Sequence, residues 1–100
     1  MQLVEQGEIL KVDGISFPVM VISNDYFNGS GKVVVCPIVK DAEEGPLHIR
    51  LKTISLQGVV LCEQLRYLDL STRHFSRMSS GRYFDIMDIS DAVMGIFEYV

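Results

Sequence analysis

Apolar and polar positions fall into short runs punctuated by turn formers, and the period of those runs predicts strands until close to the C-terminus. Residues 8–12 are a short strand with imperfect alternation, and Asp13-Gly14 behind them is a strong hairpin signal, because both residues tolerate the backbone of a tight turn. Residues 17–22 are almost continuously apolar and rich in β-branched side chains, the mark of a strand covered on both faces. Pro18 has no amide donor and belongs at the first residues of that strand. Residues 24–31 carry Asn24, Asp25, Asn28, Gly29 and Gly31 and read as a loop with one helical turn started by Asn24 or Asp25. A third strand covers residues 32–36, with Pro37 expected to close it. Residues 40–46 are polar and read as an exposed loop. Leu47-His48-Ile49-Arg50-Leu51 alternates cleanly, so one face of this strand is wet and the other dry. Residues 58–68 form the last long strand, and residues 71–80 read as a loop or short helix broken by Ser79-Ser80-Gly81.

The period then changes. Ile86, Ile89, Val93, Ile96, Phe97 and Val100 recur at spacings of three and four, which predicts an amphipathic C-terminal helix. Asp88 or Ser90 is expected to cap it, and Asp88 and Asp91 then sit in the first turn, where the helix dipole favours anions. Gly95 lies inside this helix at a cost of ~1 kcal/mol relative to Ala. Five short strands with tight turns and one such helix indicate a mainly β protein: a small, strongly bent antiparallel sheet closed by the helix.

Composition narrows the class. At 100 residues, 48% hydrophobic and 22% charged, the chain is one globular domain over residues 1–100 and too apolar to be disordered. No apolar run approaches the ~20 residues of a membrane helix, and Met1-Gln2-Leu3-Val4-Glu5 has no basic n-region, so neither a membrane span nor a signal peptide is expected. Cys36 and Cys62 lie in apolar runs and read as reduced core thiols of a cytoplasmic protein; a disulfide requires that their strands be neighbours. The net charge of −4 argues against a molecule held to nucleic acid by its overall field. The distribution is uneven, however. Between His48 and Arg82 there are six bases (Arg50, Lys52, Arg66, Arg73, Arg77, Arg82) and two acids (Glu63, Asp69), whereas from Asp85 onward there are four acids and no base. One locally positive face on an acidic molecule fits these numbers, and so does a solvated surface of mixed charge.

The chemistry concentrates in the run Gly58-Val59-Val60-Leu61-Cys62-Glu63-Gln64-Leu65-Arg66-Tyr67-Leu68-Asp69, where Glu63, Gln64 and Arg66 interrupt an apolar strand. An unpaired buried charge costs on the order of several kcal/mol, so these groups need a reason. That run carries a resemblance together with Gly7-Glu8-Ile9, Pro18 followed by Val21-Ile22-Ser23-Asn24, Tyr26-Phe27-Asn28, and Val34-Val35-Cys36-Pro37-Ile38. In this order and spacing the chain resembles the PemK/MazF toxin family over nearly its full length, a family whose fold is shared by the CcdB gyrase poisons. The resemblance implies an SH3-like barrel of about five to seven antiparallel strands with a C-terminal amphipathic helix, usually a cytoplasmic homodimer. It implies the growth inhibitor of a type II toxin–antitoxin module: a metal-independent, cofactor-free endoribonuclease (mRNA interferase) with single-stranded RNA as substrate, a cognate antitoxin as partner and no membrane. The chain departs from the family at Phe17, where an Arg is usual, at Val39 in place of Thr or Ser, and at Leu61 in place of another Arg. Its first loop is cut to residues 13–16.

Metal-free RNA cleavage uses the ribose 2′-hydroxyl as nucleophile. It needs a base for that proton, an acid for the leaving 5′-oxygen, and donors at the phosphate. The resemblance assigns the catalytic roles to Glu63 and Arg66, with Gln64, His48, Arg50, Arg73 and Phe17 on the substrate. Other readings of the same residues stay open. Glu63 is equally a buried ion-pair partner for Arg66, His48 a surface residue of a wet strand face, and His74 with Arg73 and Arg77 a solvated turn. Tyr67, Phe75, Tyr83 and Phe84 either stack bases or fill the core. Cys36 and Cys62 have no His at motif spacing, so no metal or thiol chemistry is expected of them. The competing function is a non-catalytic binding protein on the same barrel, either a CcdB-like poison acting through Phe97-Glu98-Tyr99-Val100 or a degenerate toxin that engages only protein partners. The plainest is an assembly domain that only dimerises.

Overall fold

The computed structural model describes residues 3–98. Seven strands and two helices follow one another: β1 (Glu8–Val12), β2 (Val19–Val21), α1 (Asp25–Asn28), β3 (Lys32–Val39), β4 (His48–Lys52), β5 (Gln57–Leu61), β6 (Arg66–Asp69), β7 (Phe75–Ser80) and α2 (Tyr83–Ile96). All pairings are antiparallel, in the order β4-β5-β3-β2-β1-β7, with β6 paired to β3 off that path. The sheet curls into a half-barrel with α2 against one face. This is the mainly β, helix-closed architecture expected, at the upper end of five to seven strands.

Alternation decides which residues go where. Leu10, Val12, Val19, Val21, Val33, Val35 and Leu68 point into one buried cluster. Their neighbours Ile9, Met20, Cys36, Ile38, Leu51, Val60 and Cys62 point the other way, into a second cluster closed by Ile89 and Val93 of α2. A two-sided core explains why the runs at residues 17–22 and 32–38 are continuously apolar. Two glycines allow the close approaches that this needs. Gly7 has φ +92°, and a Cβ there would run into the Ile86 side chain of α2. A Cβ on Gly58 would lie 2.7 Å from Ile38 Cγ2 and 3.0 Å from Val39 O, so β3 and β5 can pair there only without a side chain. Both thiols are buried and free; burial pushes Cys36 up to about 12 and Cys62 up to about 11.

The structure corrects four expectations. The run 58–68 is two strands, β5 and β6, separated by a turn at residues 62–65, because β3 runs past both and pairs Ile38–Val39 with one and Lys32–Val35 with the other. That division also lets β3 continue through Pro37 to Val39: the proline marks the change of neighbour. Residues 75–80 are a strand. β7 is an edge strand with five of its six residues polar or exposed, held by its backbone pairing to β1 and by Arg77 Nε donating to Glu8 Oε1 at 2.8 Å, so it carries no apolar period. The helix begins about two turns early, at Tyr83, capped at Arg82 rather than at Asp88 or Ser90: the Arg82 backbone N–H and Nε both donate to Asp85 Oδ2 at 3.2 Å, and Asp85 is the acid of the first turn. Val100, the last residue of the expected apolar stripe, and Tyr99 lie outside the described residues. Of the rest, Ile89 and Val93 are buried and Ile86 half-buried, while Ile96 and Phe97 are exposed.

The expected helical turn at Asn24 is present. Asn24 caps α1 by accepting from Phe27 N at 2.9 Å. The buried Asn28 ties α1 to the sheet: Ser23 Oγ donates to Asn28 Oδ1 at 2.5 Å, Asn28 Nδ2 donates to Ser23 O at 3.0 Å, and Val34 N donates to Ser23 Oγ at 2.9 Å. Gly95 faces open space inside α2: a methyl group on its Cα would meet no atom within 4 Å. Gly95→Ala is therefore expected to stabilise the fold by about 0.5–1 kcal/mol, read as a higher urea midpoint at unchanged slope.

Candidate active site

The site is built on the turn that splits the last expected strand. β5 ends at Leu61, whose Cα partner across the ladder is His48, the first residue of β4. The chain then turns: Cys62 N donates to Leu47 O at 2.8 Å, and Gln64 N to Leu61 O at 3.1 Å. This turn folds Glu63 back over β4, and its Oε1 lies 2.7 Å from His48 Nε2. His48 Nδ1 lies 2.9 Å from the Glu43 carbonyl oxygen in the β3–β4 connection. Each partner keeps about a third of its side chain in solvent, 32% for His48 and 37% for Glu63.

The pair tunes both groups. The hydrogen bond from His48 holds the Glu63 carboxyl below its ordinary value against the opposing effect of burial. The same bond, then the Glu43 carbonyl, raises His48 above its ordinary value. Glu63 is thus an exposed carboxylate on a turn, paired with an imidazole. The buried Glu63–Arg66 ion pair that the sequence left open does not form. Arg66, at the start of β6, is exposed and has no hydrogen-bond or salt-bridge partner among the described residues.

Three of the expected residues share one cavity. Phe17, Gln64 and Arg66 line a space of about 260 Å³ with Val35, Pro37 and Leu65. A second space of about 470 Å³ lies on the other side of Leu65, toward Phe27 of α1 and Val93, Met94 and Phe97 at the end of α2. Leu65 of the 62–65 turn borders both cavities, and Gln64 lines the smaller one, while Glu63 points instead to His48. Arg50 is on the same wet face of β4 as His48, but its Nε donates to Glu44 Oε2 at 2.9 Å. Arg73 is elsewhere, its guanidinium lying over Gly14 in the β1–β2 connection. Leu61 is buried and Val39 half-buried, so neither offers a polar group to the rim. The Glu43 carbonyl was invisible beforehand, since a backbone acceptor leaves no trace in residue type. No group of three or more His, Cys, Asp and Glu among the described residues is placed to hold a metal. No helix among them is long and apolar enough to cross a membrane.

A curled seven-stranded half-barrel closed by a C-terminal helix, with the Glu63 carboxylate on the turn after β5 paired to His48 of β4 and the Arg66 guanidinium at the start of β6, defines a small barrel protein. The chain belongs to the family of PemK-like, MazF-like toxins of type II toxin–antitoxin systems, whose model matches residues 5–95. Solved structures agree on the fold. A MazE-MazF complex from Deinococcus radiodurans is 20% identical with a TM-score of 0.87, over 97% of this chain and 98% of that one. An endoribonuclease from a mycobacterial species is 16% identical with a TM-score of 0.84, over 97% and 93%. An endoribonuclease in complex with its cognate antitoxin, also mycobacterial, is 15% identical with a TM-score of 0.82, over 94% of each chain. No curated protein sequence matches the chain.

Proposed function

We propose that this toxin arrests growth by cutting single-stranded RNA without a metal. The observation that carries the reading is the ionised, solvent-facing Glu63 on the turn between β5 and β6, which is followed by Gln64 and the unpartnered Arg66 in a cavity shared with Phe17. Glu63 takes the proton of the ribose 2′-hydroxyl, and the 2′-oxygen attacks the adjacent phosphorus. Arg66 holds the phosphate, as a fixed cation suits a dianionic transition state. Gln64 offers amide donors and acceptors to a base, and Phe17 offers a ring face for stacking. The mixed arrangement suits single strands, whose bases are free to enter a cavity.

A cognate antitoxin is the natural partner, in keeping with the antitoxin complexes formed by proteins of this fold. Tyr83, Phe84, Met87, Met94 and Phe97 leave an apolar face of α2 exposed, which supports self-association as a homodimer. Two free, buried thiols suit the reducing cytoplasm. The test is incubation of the purified protein with mixed single-stranded RNA in a metal chelator. Fragments ending in a 2′,3′-cyclic phosphate and a 5′-hydroxyl are expected. Growth arrest on induction with no RNA cut would instead favour the protein-binding reading, in which the exposed α2 face takes a cellular protein.

A further inference from the structure

We propose that His48 is the second reacting group of this site, the acid that protonates the leaving 5′-oxygen; the proposal rests on the RNA-cutting reading above. A base at Glu63 accounts for half of the proton transfer. The departing alkoxide also needs a proton, and a guanidinium is too weak an acid to give one, so Arg66 serves as a charge rather than a donor of protons. Among the described residues the one titrating side chain in hydrogen-bond contact with Glu63 is His48.

Geometry sets its charge. Both ring nitrogens face acceptors: Nδ1 the Glu43 carbonyl at 2.9 Å, and Nε2 the Glu63 carboxylate at 2.7 Å. A neutral imidazole has one N–H and satisfies one of these; the imidazolium satisfies both. His48 is thereby stored in its acid form next to a base stored in its ionised form. The other charged groups close by do not disturb this. Arg50 and Glu44 neutralise each other on the same strand and loop, and the Cys36 and Cys62 thiols beneath stay protonated.

The protons balance. Glu63 removes the 2′-hydroxyl proton as the 2′-O–P bond forms. The P–O5′ bond breaks, and the 5′-oxygen leaves as a hydroxyl with the proton from His48 Nε2. Glu63 is then a carboxylic acid and His48 a neutral imidazole with its bare Nε2 toward it. Proton return along their shared hydrogen bond restores the starting pair. The two groups work through one contact, so one turn and one strand suffice to reset the site.

The test compares ordinary RNA with RNA whose scissile 5′-bridging oxygen is sulfur, a leaving group that needs no acid. His48→Gln should cut the oxygen substrate ~100-fold or more slowly than the unmodified protein and the sulfur substrate within about tenfold of it. Glu63→Gln should be slow on both, because the 2′-hydroxyl still needs a base. NMR titration should show the His48 imidazolium persisting above pH 6.5 and shifting down in Glu63→Gln. If His48→Gln cuts the oxygen substrate normally, or is equally slow on both substrates, or if His48 titrates at or below the ordinary value, the proposal fails and the RNA-cutting reading stands. If the unmodified protein cuts neither substrate, both fall together.

Discussion

Replacing Glu63 with Gln is expected to lower RNA cleavage by about 100- to 10,000-fold while the protein remains folded. The size follows from the role: a positioned general base contributes about that much, and an amide has no basicity to replace it. The fold survives because Glu63 stands on an exposed turn held by backbone bonds from Cys62 N to Leu47 O and Gln64 N to Leu61 O, neither of which uses its side chain. Far-UV circular dichroism and the thermal midpoint should change little, as expected for a solvent-exposed pair. The pH dependence carries a sign that checks the assignment. Glu63 is lowered, so its ionised form is present above the ordinary carboxylate value and is lost only as pH falls through the lowered one. His48 is raised, so its charged form is complete below the ordinary imidazole value and is lost as pH rises through the raised one. The rate should therefore form a bell spanning neutral pH, with an acid limb below pH 4.5 and an alkaline limb above pH 6.5. In His48→Gln the alkaline limb should disappear and the acid limb should move toward the ordinary carboxylate value. Cleavage by Glu63→Gln at the rate of the unmodified protein would remove Glu63 from the chemistry.

The largest effect on stability is expected from Ile89→Ala, at about 2–5 kcal/mol of unfolding free energy. Ile89 is 1% exposed and sits in the cluster formed with Ile9, Met20, Leu51 and Val60, on the face of the sheet that α2 covers. Truncation removes three carbons from a packed layer, and β-strands cannot shift to fill the gap without breaking the register of their pairings. For a domain of this size the total is ~5–15 kcal/mol, so the loss is a large fraction of it. Phe97→Ala at the end of the same helix is the control. Phe97 is 66% exposed, and its removal should cost no more than about 0.5 kcal/mol. Urea denaturation monitored by circular dichroism separates the two: a lower midpoint for Ile89→Ala at unchanged slope, and no change for Phe97→Ala. Equal effects would mean that α2 is not anchored through the buried face described here.

The contrast between Ile89 and Phe97 shows how far residue pattern reaches. Both belong to one apolar series at helical spacing, and the series placed a helix at this end of the chain though not its start. It did not say that the stripe is wider than the sheet beneath it, which leaves Tyr83, Phe84, Met87, Met94 and Phe97 outside. β7 shows the complementary blind spot. Its backbone pairs with β1, with one register shift, yet apart from Phe75, which packs on the core, its side chains are polar or face water on an edge, and one apolar contact sets no hydrophobic period. Glu63 was singled out because a carboxylate is improbable inside an apolar run. The reason proved to be a turn rather than a buried pair.

Local chemistry along the chain therefore determined the class. Period-two runs, turn formers and a change to helical spacing set a bent antiparallel sheet with a terminal helix, and the order of short matching pieces set the family. Tertiary structure alone decided which groups meet. His48 and Glu63 are fifteen residues apart and come to 2.7 Å because β4 and β5 pair in one register and the next turn folds back across it. Arg66 is far nearer to Glu63 in sequence and forms no ion pair with it. Register is a property of paired strands, fixed by which faces are buried on both, and no single strand carries it.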